Sequence, residues 1–151
     1  MTVWKELAEM TWIKLFHNHM TIELVNPLFS YATPEWKRLV KLFREEIFKE
    51  AAKSDLSWLI FTYVWDFDAD NDNNYVNHIC EIFRKENVEI YFVELEANIQ
   101  TRLNRNNTEY RLEQKPTKRN LEKSKKELLL CHENLRLNSR EWEILEKNYL
   151  R

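Results

Sequence analysis

The chain has 151 residues, of which 44% are hydrophobic and 32% charged, and its formal net charge is −2 at pH 7. These values predict one globular domain with a hydrophobic core and exclude a disordered chain. No apolar run approaches the roughly 20 residues of a membrane span and no signal-peptide pattern opens the chain, so we expect a cytoplasmic protein without a membrane partner.

The chain contains no glycine, where ordinary usage of about 7% predicts roughly ten. A glycine-rich phosphate-binding loop therefore cannot be formed by these residues. Positions that need a positive φ must be filled by other residue types, and asparagine is the expected substitute. The two cysteines, Cys80 and Cys131, match no CxxC spacing, so we expect free thiols.

The first part of the chain predicts a helix, a strand and a further helix. Apolar residues at helical spacing predict a helix over residues 2–11, and the apolar segment WIKLFH at residues 12–17 predicts a strand. A second helical pattern covers residues 22–29. The segment between strand and helix is His17-Asn18-His19.

A clear helix start follows at Thr33, which is an N-cap type with Pro34 at the first helical position. The pattern predicts that this helix runs to about residue 53. Its predicted buried stripe is Leu39, Leu42, Phe43, Ile47 and Ala51.

Residues 57–65, SWLIFTYVW, are almost continuously apolar and rich in β-branched and aromatic types. A short run of this kind predicts a strand buried on both faces, which is typical of a parallel sheet covered by helices. Ligands of such sheets bind at the carboxyl ends of the strands. We therefore expect this strand to be the centre of the fold.

Later segments continue the alternation of strands and helices. The predicted elements are a helix over residues 72–86, a strand over 88–95, a helix over 97–105, a polar loop over 106–117, a charged helix over 118–133 and the start of a strand at 148–151. This alternation predicts an α/β fold in which a three-layer parallel sheet is flanked by helices. We expect residues 1–151 to form one such domain, with a sheet that is incomplete at both ends because few strands are evident.

Four carboxylates follow the central strand: Asp66, Asp68, Asp70 and Asp72. Asp66 and Asp68 are candidates for holding or water-bridging Mg²⁺, which prefers one or two carboxylates together with phosphate oxygens. The alternative is a solvated turn that caps the next helix through Asp70 or Asp72. An EF-hand is excluded because the central Gly and terminal Glu are absent.

His17, Asn18 and His19 follow the first predicted strand, on the same expected ligand edge. Alternate residues of an extended segment face the same way, so the two imidazoles are candidates for contacting one acceptor. The alternative is an ordinary polar loop. A zinc site would need further ligands, and only His78 and His132 remain, so we expect no metal site here.

A basic cluster of four residues occurs on and after the helix predicted over residues 97–105. Its members are Arg102, Arg105, Arg111 and Lys115. Arginine suits phosphate binding because its planar fork binds two oxygens at once and stays charged. The alternatives are a solvated loop paired with Glu109 and Glu113, or an RNA contact extended by the lysines after residue 117, which the slightly negative net charge disfavours.

Several stretches together resemble bacterial P-loop kinases of the shikimate-kinase-like and nucleoside-kinase-like superfamily, commonly labelled AAA-family ATPases. They are KLFHNHMTIELVNPLF, TPEWKRLVKLFREEIFKEAAKSDL, LIFTYVWDFD, and EIYFVELEA followed by RLNRNNTEYRLEQKPTKRN. The resemblance implies a P-loop α/β fold, ATP with Mg²⁺, and phosphoryl transfer to a small acceptor. It also implies that residues 101–119 form a lid over ATP and that the segment at residues 17–19 contacts the acceptor.

The chain departs from the family pattern in two respects. The first strand and the GxxxxGKS/T loop, expected just before Thr2, are not in the sequence, so we expect weak or absent kinase activity. Trp12, Trp58 and Trp142 stand where relatives are expected to have glycine, which indicates engineering, altered decoding or a degraded reading frame. The alternative function is a non-catalytic α/β binding or scaffolding domain that pairs with another chain, including a second copy, through exposed sheet edges.

Overall fold

The computed structural model describes residues 2–151, apart from the side chain of Thr2. The chain forms two compact units, and the single domain expected from the sequence stays a prediction. The first contains the chain up to Tyr63 together with Gln114–Thr117, and the second contains Val64–Glu113 and Lys118–Arg151. No helix among the described residues is both long enough and apolar enough to cross a membrane.

The elements are numbered in chain order. Those up to Tyr63 are α1 (Thr2–Thr11), β1 (Lys14–His17), α2 (His19–Val25), α3 (Pro34–Lys53) and β2 (Leu59–Thr62). Those that follow are α4 (Asp70–Lys85), β3 (Phe92–Val93), α5 (Ile99–Asn106), α6 (Glu109–Gln114), a 3₁₀ turn (Pro116–Lys118), α7 (Leu121–Asn134) and β4 (Tyr149–Leu150).

In the first unit β1 and β2 pair in parallel, with a register that runs from Lys14 opposite Leu59 to His17 opposite Thr62. The aromatic rings of Phe16, Phe48 and Phe61 join this sheet to α3, with centroid distances of 4.8 to 5.6 Å. A second core cluster, formed by Val25, Trp36 and Val40, joins α2 to α3. The sheet and these two helices therefore hold the residues that follow β1 in fixed positions.

The start of α3 confirms the predicted cap, because the Thr33 hydroxyl oxygen accepts a hydrogen bond from the Trp36 amide. The predicted buried stripe is wrong at three of its five positions, while Leu39 and Ala51 are half-buried and Leu39 packs against the core. The side chains of Leu42, Phe43 and Ile47 are exposed, whereas the buried face consists of Trp36, Val40, Arg44, Phe48 and Ala52. Periodicity failed here because a charged residue lies in the middle of the inward face.

In the second unit β3 pairs in parallel with β4, which confirms a strand at the predicted position 148–151. The Trp65 ring stacks on Phe67 at a centroid distance of 4.3 Å, and its indole N–H donates to the Asn73 side chain. Val76, Cys80 and Ile82 are the buried residues of α4. The segment predicted as a loop over residues 106–117 contains α6 instead.

The described residues form two separate two-stranded parallel sheets, where one sheet was expected. The central strand is shorter than the predicted residues 57–65, and all four residues of β2 are half-buried where full burial was predicted. The strand predicted over residues 88–95 pairs only at Phe92 and Val93. The pairing direction agrees with a parallel α/β fold, while the three-layer P-loop kinase-like sheet stays a prediction.

Four described residues adopt a positive φ without being glycine: Trp12 (61°), Ala32 (67°), Asn87 (58°) and Trp142 (65°). Only one of them is the expected asparagine. Trp12 and Trp142 are two of the three tryptophans at positions where glycine was expected, and their side chains are 88% and 85% exposed. These two tryptophans therefore adopt a left-handed backbone conformation that is unfavourable for residues with a Cβ atom. Because their side chains are exposed, burial does not offset this conformational cost.

Candidate functional site

The residues at the end of β1 form the candidate site of the first unit. β1 ends at His17 and α2 begins at His19, so Asn18 alone joins the carboxyl end of a strand to a helix. Both histidines are 8% exposed, which is unusual for a polar loop. Two buried polar side chains at this edge of a parallel sheet are where a ligand is expected to bind.

Arg44 fixes the backbone of this segment. Its Nη2 donates to the backbone oxygen of Asn18 and its Nε donates to the hydroxyl oxygen of Thr21, both at 2.8 Å. The Thr21 hydroxyl in turn donates to the same Asn18 oxygen at 3.2 Å. The Arg44 side chain thus ties α3 to the turn that carries the candidate residues.

Arg44 is also a buried charge, being 7% exposed. Buried charges are normally paired, because burial without a partner is costly. Among the described residues no carboxylate forms an ion pair with Arg44 in the structure. Its positive charge therefore has no carboxylate partner in the part of the chain that the structure describes, and it favours a negatively charged or strongly polar group at this edge of the sheet.

The segment Gln114–Thr117 packs with the first unit and reaches the same site. The Glu23 carboxylate on α2 accepts hydrogen bonds from the amide of Thr117 at 3.2 Å and from its hydroxyl. One oxygen of that carboxylate is also 3.2 Å from Nδ1 of His19. A single carboxylate therefore connects the candidate histidine to residues 114–117.

The imidazole of His17 has a lowered pKa in this environment. Burial is the main cause and the charge of Lys115 adds to it, whereas a side-chain hydrogen bond with Gln114 opposes it. His17 is therefore neutral at physiological pH. Its Nδ1 is buried and has no hydrogen-bond partner among the described residues, so this nitrogen is available to a hydroxyl or carbonyl group of a ligand.

Asp66 and Asp68, predicted as catalytic, are engaged by the protein itself. Oδ1 of Asp66 accepts from the amides of Asp68 and Arg136, both at 3.2 Å. Oδ1 of Asp68 accepts from Nε and Nη2 of Arg136 at 2.9 and 2.7 Å, and these bonds lower the pKa of its carboxyl group. In this arrangement both carboxylates hold the loop after the central strand.

The alternative role given to the acidic run, capping of the next helix, is only partly realised. The N-cap of α4 is Ala69, without a side-chain cap, and Asp70 and Asp72 lie in the first turn. Carboxylates in the first turn interact favourably with the positive end of the helix dipole. The Asp72 carboxylate also accepts a hydrogen bond from the Asp66 amide at 2.9 Å. No cluster of three or more His, Cys, Asp or Glu side chains within residues 2–151 is arranged to hold a metal ion.

The four predicted phosphate-binding residues are divided between the two units, Arg102, Arg105 and Arg111 in the second and Lys115 in the first. Arg111 is half-buried, and its guanidinium donates to the backbone oxygen of Asn106 at 3.2 Å and to the Ser124 hydroxyl at 3.3 Å. Burial lowers the pKa of Arg111. Arg102 and Arg105 lie on α5 in the same unit, whereas Lys115 belongs to the first unit beside His17.

Sequence reasoning missed three residues that organise these regions: Arg44, Arg136 and Glu94. Arg44 gave no signal because periodicity assigned its helix face to solvent. Glu94 follows β3, and its carboxylate accepts hydrogen bonds from the side chains of Asn138, Ser139 and Tyr149. Burial alone would raise the pKa of Glu94, but these bonds outweigh it and the pKa is lowered. Contacts between residues so distant in sequence leave no local pattern.

Comparisons with known proteins add no family assignment. No family model matches the chain, and no characterised protein or solved structure matches it either.

Proposed function

We propose that the chain is a P-loop kinase-like phosphotransferase that binds a small hydroxylated acceptor or nucleoside at His17, Asn18 and His19. The observation that carries the proposal is the buried cation Arg44, which donates to the Asn18 backbone oxygen at 2.8 Å and has no ion pair among the described residues, together with the effect of the Lys115 charge on the His17 imidazole. Two positive charges at the carboxyl edge of a parallel sheet suit an acceptor that receives a phosphoryl group.

Each residue has a distinct role in this proposal. The unpartnered Nδ1 of His17 and the side chain of Asn18 hydrogen-bond the acceptor, and His19 is oriented by Glu23. Arg44 positions the segment and adds positive charge. Lys115 interacts with the transferred phosphoryl group, because charge on that group is best stabilised by fixed cations.

The phosphoryl donor implied by the resemblance is ATP, with Arg102, Arg105 and Arg111 as phosphate contacts. Of these, Arg111 already satisfies the Asn106 carbonyl and the Ser124 hydroxyl. The chain has no glycine and so no glycine-rich phosphate loop, and we expect weak or absent turnover from these residues. Magnesium does not fit at Asp66 and Asp68 as they stand, because Arg136 occupies the oxygen of Asp68 that would bind it.

The test is acceptor binding, followed by the imidazole proton signals of the chain in a panel of hydroxylated acids, polyols and nucleosides. A true acceptor should shift the signals of His17 and His19 and leave His78 and His132 in place. Asn18→Ala should weaken that binding about tenfold, and Asn77→Ala, an exposed position on α4, is the matched control. Unchanged His17 and His19 signals across the whole panel would contradict the proposal. Robust ATP turnover would contradict the separate expectation of weak activity.

A second candidate is a binding or scaffolding domain that pairs with another chain. It is favoured by the two-stranded sheets, since each described strand pairs on one side only. Parallel sheets usually have more strands, and unpaired edges are sites of strand addition. Sedimentation distinguishes the candidates: a concentration-independent monomer that binds acceptors supports the kinase-like function, and a stable dimer without acceptor binding supports the second.

A further inference from the structure

Helix α7 buries one face and leaves the opposite face to solvent. On the buried side the Ser124 hydroxyl donates to the Asn106 side chain at 3.2 Å and accepts from the Arg111 guanidinium at 3.3 Å. Ser124 is 3% exposed, and α7 packs on α5. In a helix of 3.6 residues per turn, Lys126 and Glu133 lie on the side opposite Ser124, and both are exposed.

A groove of about 380 Å³ runs along this outer side. The residues that line it, together called the α7 stripe, are Glu122, Lys125, Lys126, Leu129, Leu130 and Glu133. They recur at intervals of three and four residues, as neighbours on one helix face do. Because all six lie on α7, the groove has a wall on one side, and the side chains of a second helix fit a groove of this kind.

Two leucines form the middle of the α7 stripe. Leu129 is half-buried and Leu130 is 48% exposed. Lys126 precedes them by one helical turn and Glu133 follows them by one turn. Exposed leucines are ordinary on a protein surface, so the apolar area does not by itself identify a partner. The charges on either side of the leucines do so.

These charges are not used within the chain. Neither Lys126 nor Glu133 forms an ion pair or a side-chain hydrogen bond within residues 2–151. Glu127, which does not line the groove, is paired with Lys118 at 2.5 Å. The α7 stripe therefore carries one cation and one anion that are both available to a partner, with an apolar contact between them.

We propose that α7 pairs with α7 of a second copy of this chain, antiparallel, about a two-fold axis that passes between Leu129 and Leu130. Lys126 and Glu133 are equally far in sequence from that axis, and they lie about two helical turns, or about 10 Å, apart. The antiparallel pair therefore sets Lys126 opposite Glu133 of the second copy, and Glu133 opposite Lys126 of the second copy. The leucines of both copies pack together between the two ion pairs, as a self-complementary two-fold interface requires.

The charge pattern disfavours the neighbouring arrangements. A parallel pair in register sets Lys126 against Lys126 and Glu133 against Glu133. A shift of the antiparallel pair by one turn brings Glu122 opposite Glu133 and leaves the leucines opposite lysines. Like charges in contact oppose association, and complementary charges fix the register of an interface.

The paired area is small, so we expect a weak dimer that exchanges with monomer. The pairing uses no residue of the acceptor segment at residues 17–19 and no strand residue. It is therefore independent of the proposed function and of strand addition.

The experiment is sedimentation equilibrium of the full chain over about a hundredfold range of concentration, because a weak dimer is detected by its concentration dependence. The wild-type chain should show a monomer–dimer equilibrium that weakens as salt is added. Substitutions at Lys126 and Glu133 should leave the fold intact, since both side chains are exposed, and circular dichroism checks this.

Two charge reversals test the pairing. Lys126→Glu leaves only acidic groups at the two ends of the stripe and Glu133→Lys leaves only basic ones, so each should raise the dimer Kd about tenfold or more. The double variant restores both ion pairs with reversed polarity and should return to a Kd near that of wild type. An equal mixture of the two single variants should also form dimers, because each variant then meets the opposite charge.

Lys123→Glu is the matched control, since it makes the same charge change at an exposed position of α7 that does not line the groove. Its Kd should stay that of wild type. An equal loss of association in this control would overturn the pairing, because the effect would then come from overall charge.

Three other results would also overturn it. A wild-type chain that stays monomeric over the whole range leaves the stripe to a different partner, such as an amphipathic helix of another protein. A dimer that survives both single reversals uses another surface, such as a strand edge. A folded double variant and a mixture that both stay monomeric exclude the antiparallel register. Acceptor binding is measured separately, so its failure would count against the proposed function and leave the α7 pairing untouched.

Discussion

Arg44 on α3 donates from Nη2 to the backbone oxygen of Asn18 at 2.8 Å, across 26 positions of sequence. A helix that packs on the sheet thereby fixes the peptide that separates the two candidate histidines. The bond matters because the accepting carbonyl would otherwise be left without this partner in a largely buried site. The geometry of the segment at residues 17–19 thus depends on a side chain from a different helix.

Replacement of Arg44 by methionine should lower the free energy of unfolding by about 1–3 kcal/mol at neutral pH, because the buried Thr21 hydroxyl and the half-buried Asn18 carbonyl both lose the charged donor. Arg44→Lys should recover only part of this loss, since one ammonium cannot reproduce the fork that reaches both Thr21 and Asn18. Urea denaturation measures the change. Arg38→Met, on the exposed side of the same helix, is the control and should stay within about 0.5 kcal/mol of wild type. A loss in Arg38→Met as large as in Arg44→Met would contradict the assignment.

The lowered pKa of His17 makes stability depend on pH in a defined direction. Burial first, and then the Lys115 charge, keep the imidazole neutral in the folded chain at pH values where it is protonated in the unfolded one. The unfolded state therefore binds more protons below its own pKa of 6.5. The contribution of His17 to stability is complete above about pH 6.5 and falls as the pH drops towards the lower folded pKa.

The test compares the pH dependence of urea unfolding for wild type and His17→Gln. The difference between the two curves should decline between about pH 7 and 5, and Lys115→Met should shift the decline by moving the pKa of His17 towards its ordinary value. His78→Gln, at an exposed position on α4, provides the control. A difference curve that is flat for His17→Gln would show that the imidazole is not buried as described.

Arg136 organises the loop after the central strand through two carboxylates. Its guanidinium donates to Asp68 and, at 2.6 and 2.7 Å, to both oxygens of Glu143. Hydrogen bonding to Arg136 lowers the pKa of Glu143 to about 2 and also lowers that of Asp68. Depressed carboxyl pKa values stabilise the fold above the unfolded value near 4.5, and this contribution is lost as the pH falls through about 2.

Arg136→Met should therefore lower the thermal midpoint near neutral pH and flatten the acid dependence between about pH 5 and 2. Because Asp68 is largely exposed, the effect should shrink at high salt. Lys125→Met, an exposed cation on α7, removes the same charge without these contacts and serves as the control. Equal acid dependence in wild type and Arg136→Met would rule out a stabilising role for the network.

Local signals predicted local structure well. Thr33 and Pro34 placed the start of α3, and the apolar run after residue 57 placed β2, although the strand is shorter than its pattern. The position of Lys115 beside His17 was not predictable, since the two lie 98 positions apart and no periodicity connects them (115 − 17 = 98). The inward face of α3 was missed because an arginine there contradicts the simple rule that charge faces solvent.

Trp12 and Trp142 adopt φ values of 61° and 65°, a region that costs residues with a Cβ about 1–2 kcal/mol and costs glycine nothing. Replacement of either tryptophan by glycine should therefore raise the free energy of unfolding by about 1 kcal/mol, since glycine also gives back part of the gain through unfolded-state entropy. Trp58 was expected at a glycine position too, but its φ is not positive, so Trp58→Gly should give no such gain.

Trp65→Gly is a control in which stability should fall instead of rise. The Trp65 indole stacks on Phe67 and donates a hydrogen bond to Asn73, so its loss should destabilise the second unit. Urea denaturation of the four single variants measures the set. Peptide masses of protein purified from its natural source give a second readout: glycine at positions 12 and 142 would identify altered decoding, and tryptophan there would exclude it. If Trp12→Gly and Trp142→Gly are no more stable than Trp58→Gly, then the positive φ carries no penalty and these are not glycine positions.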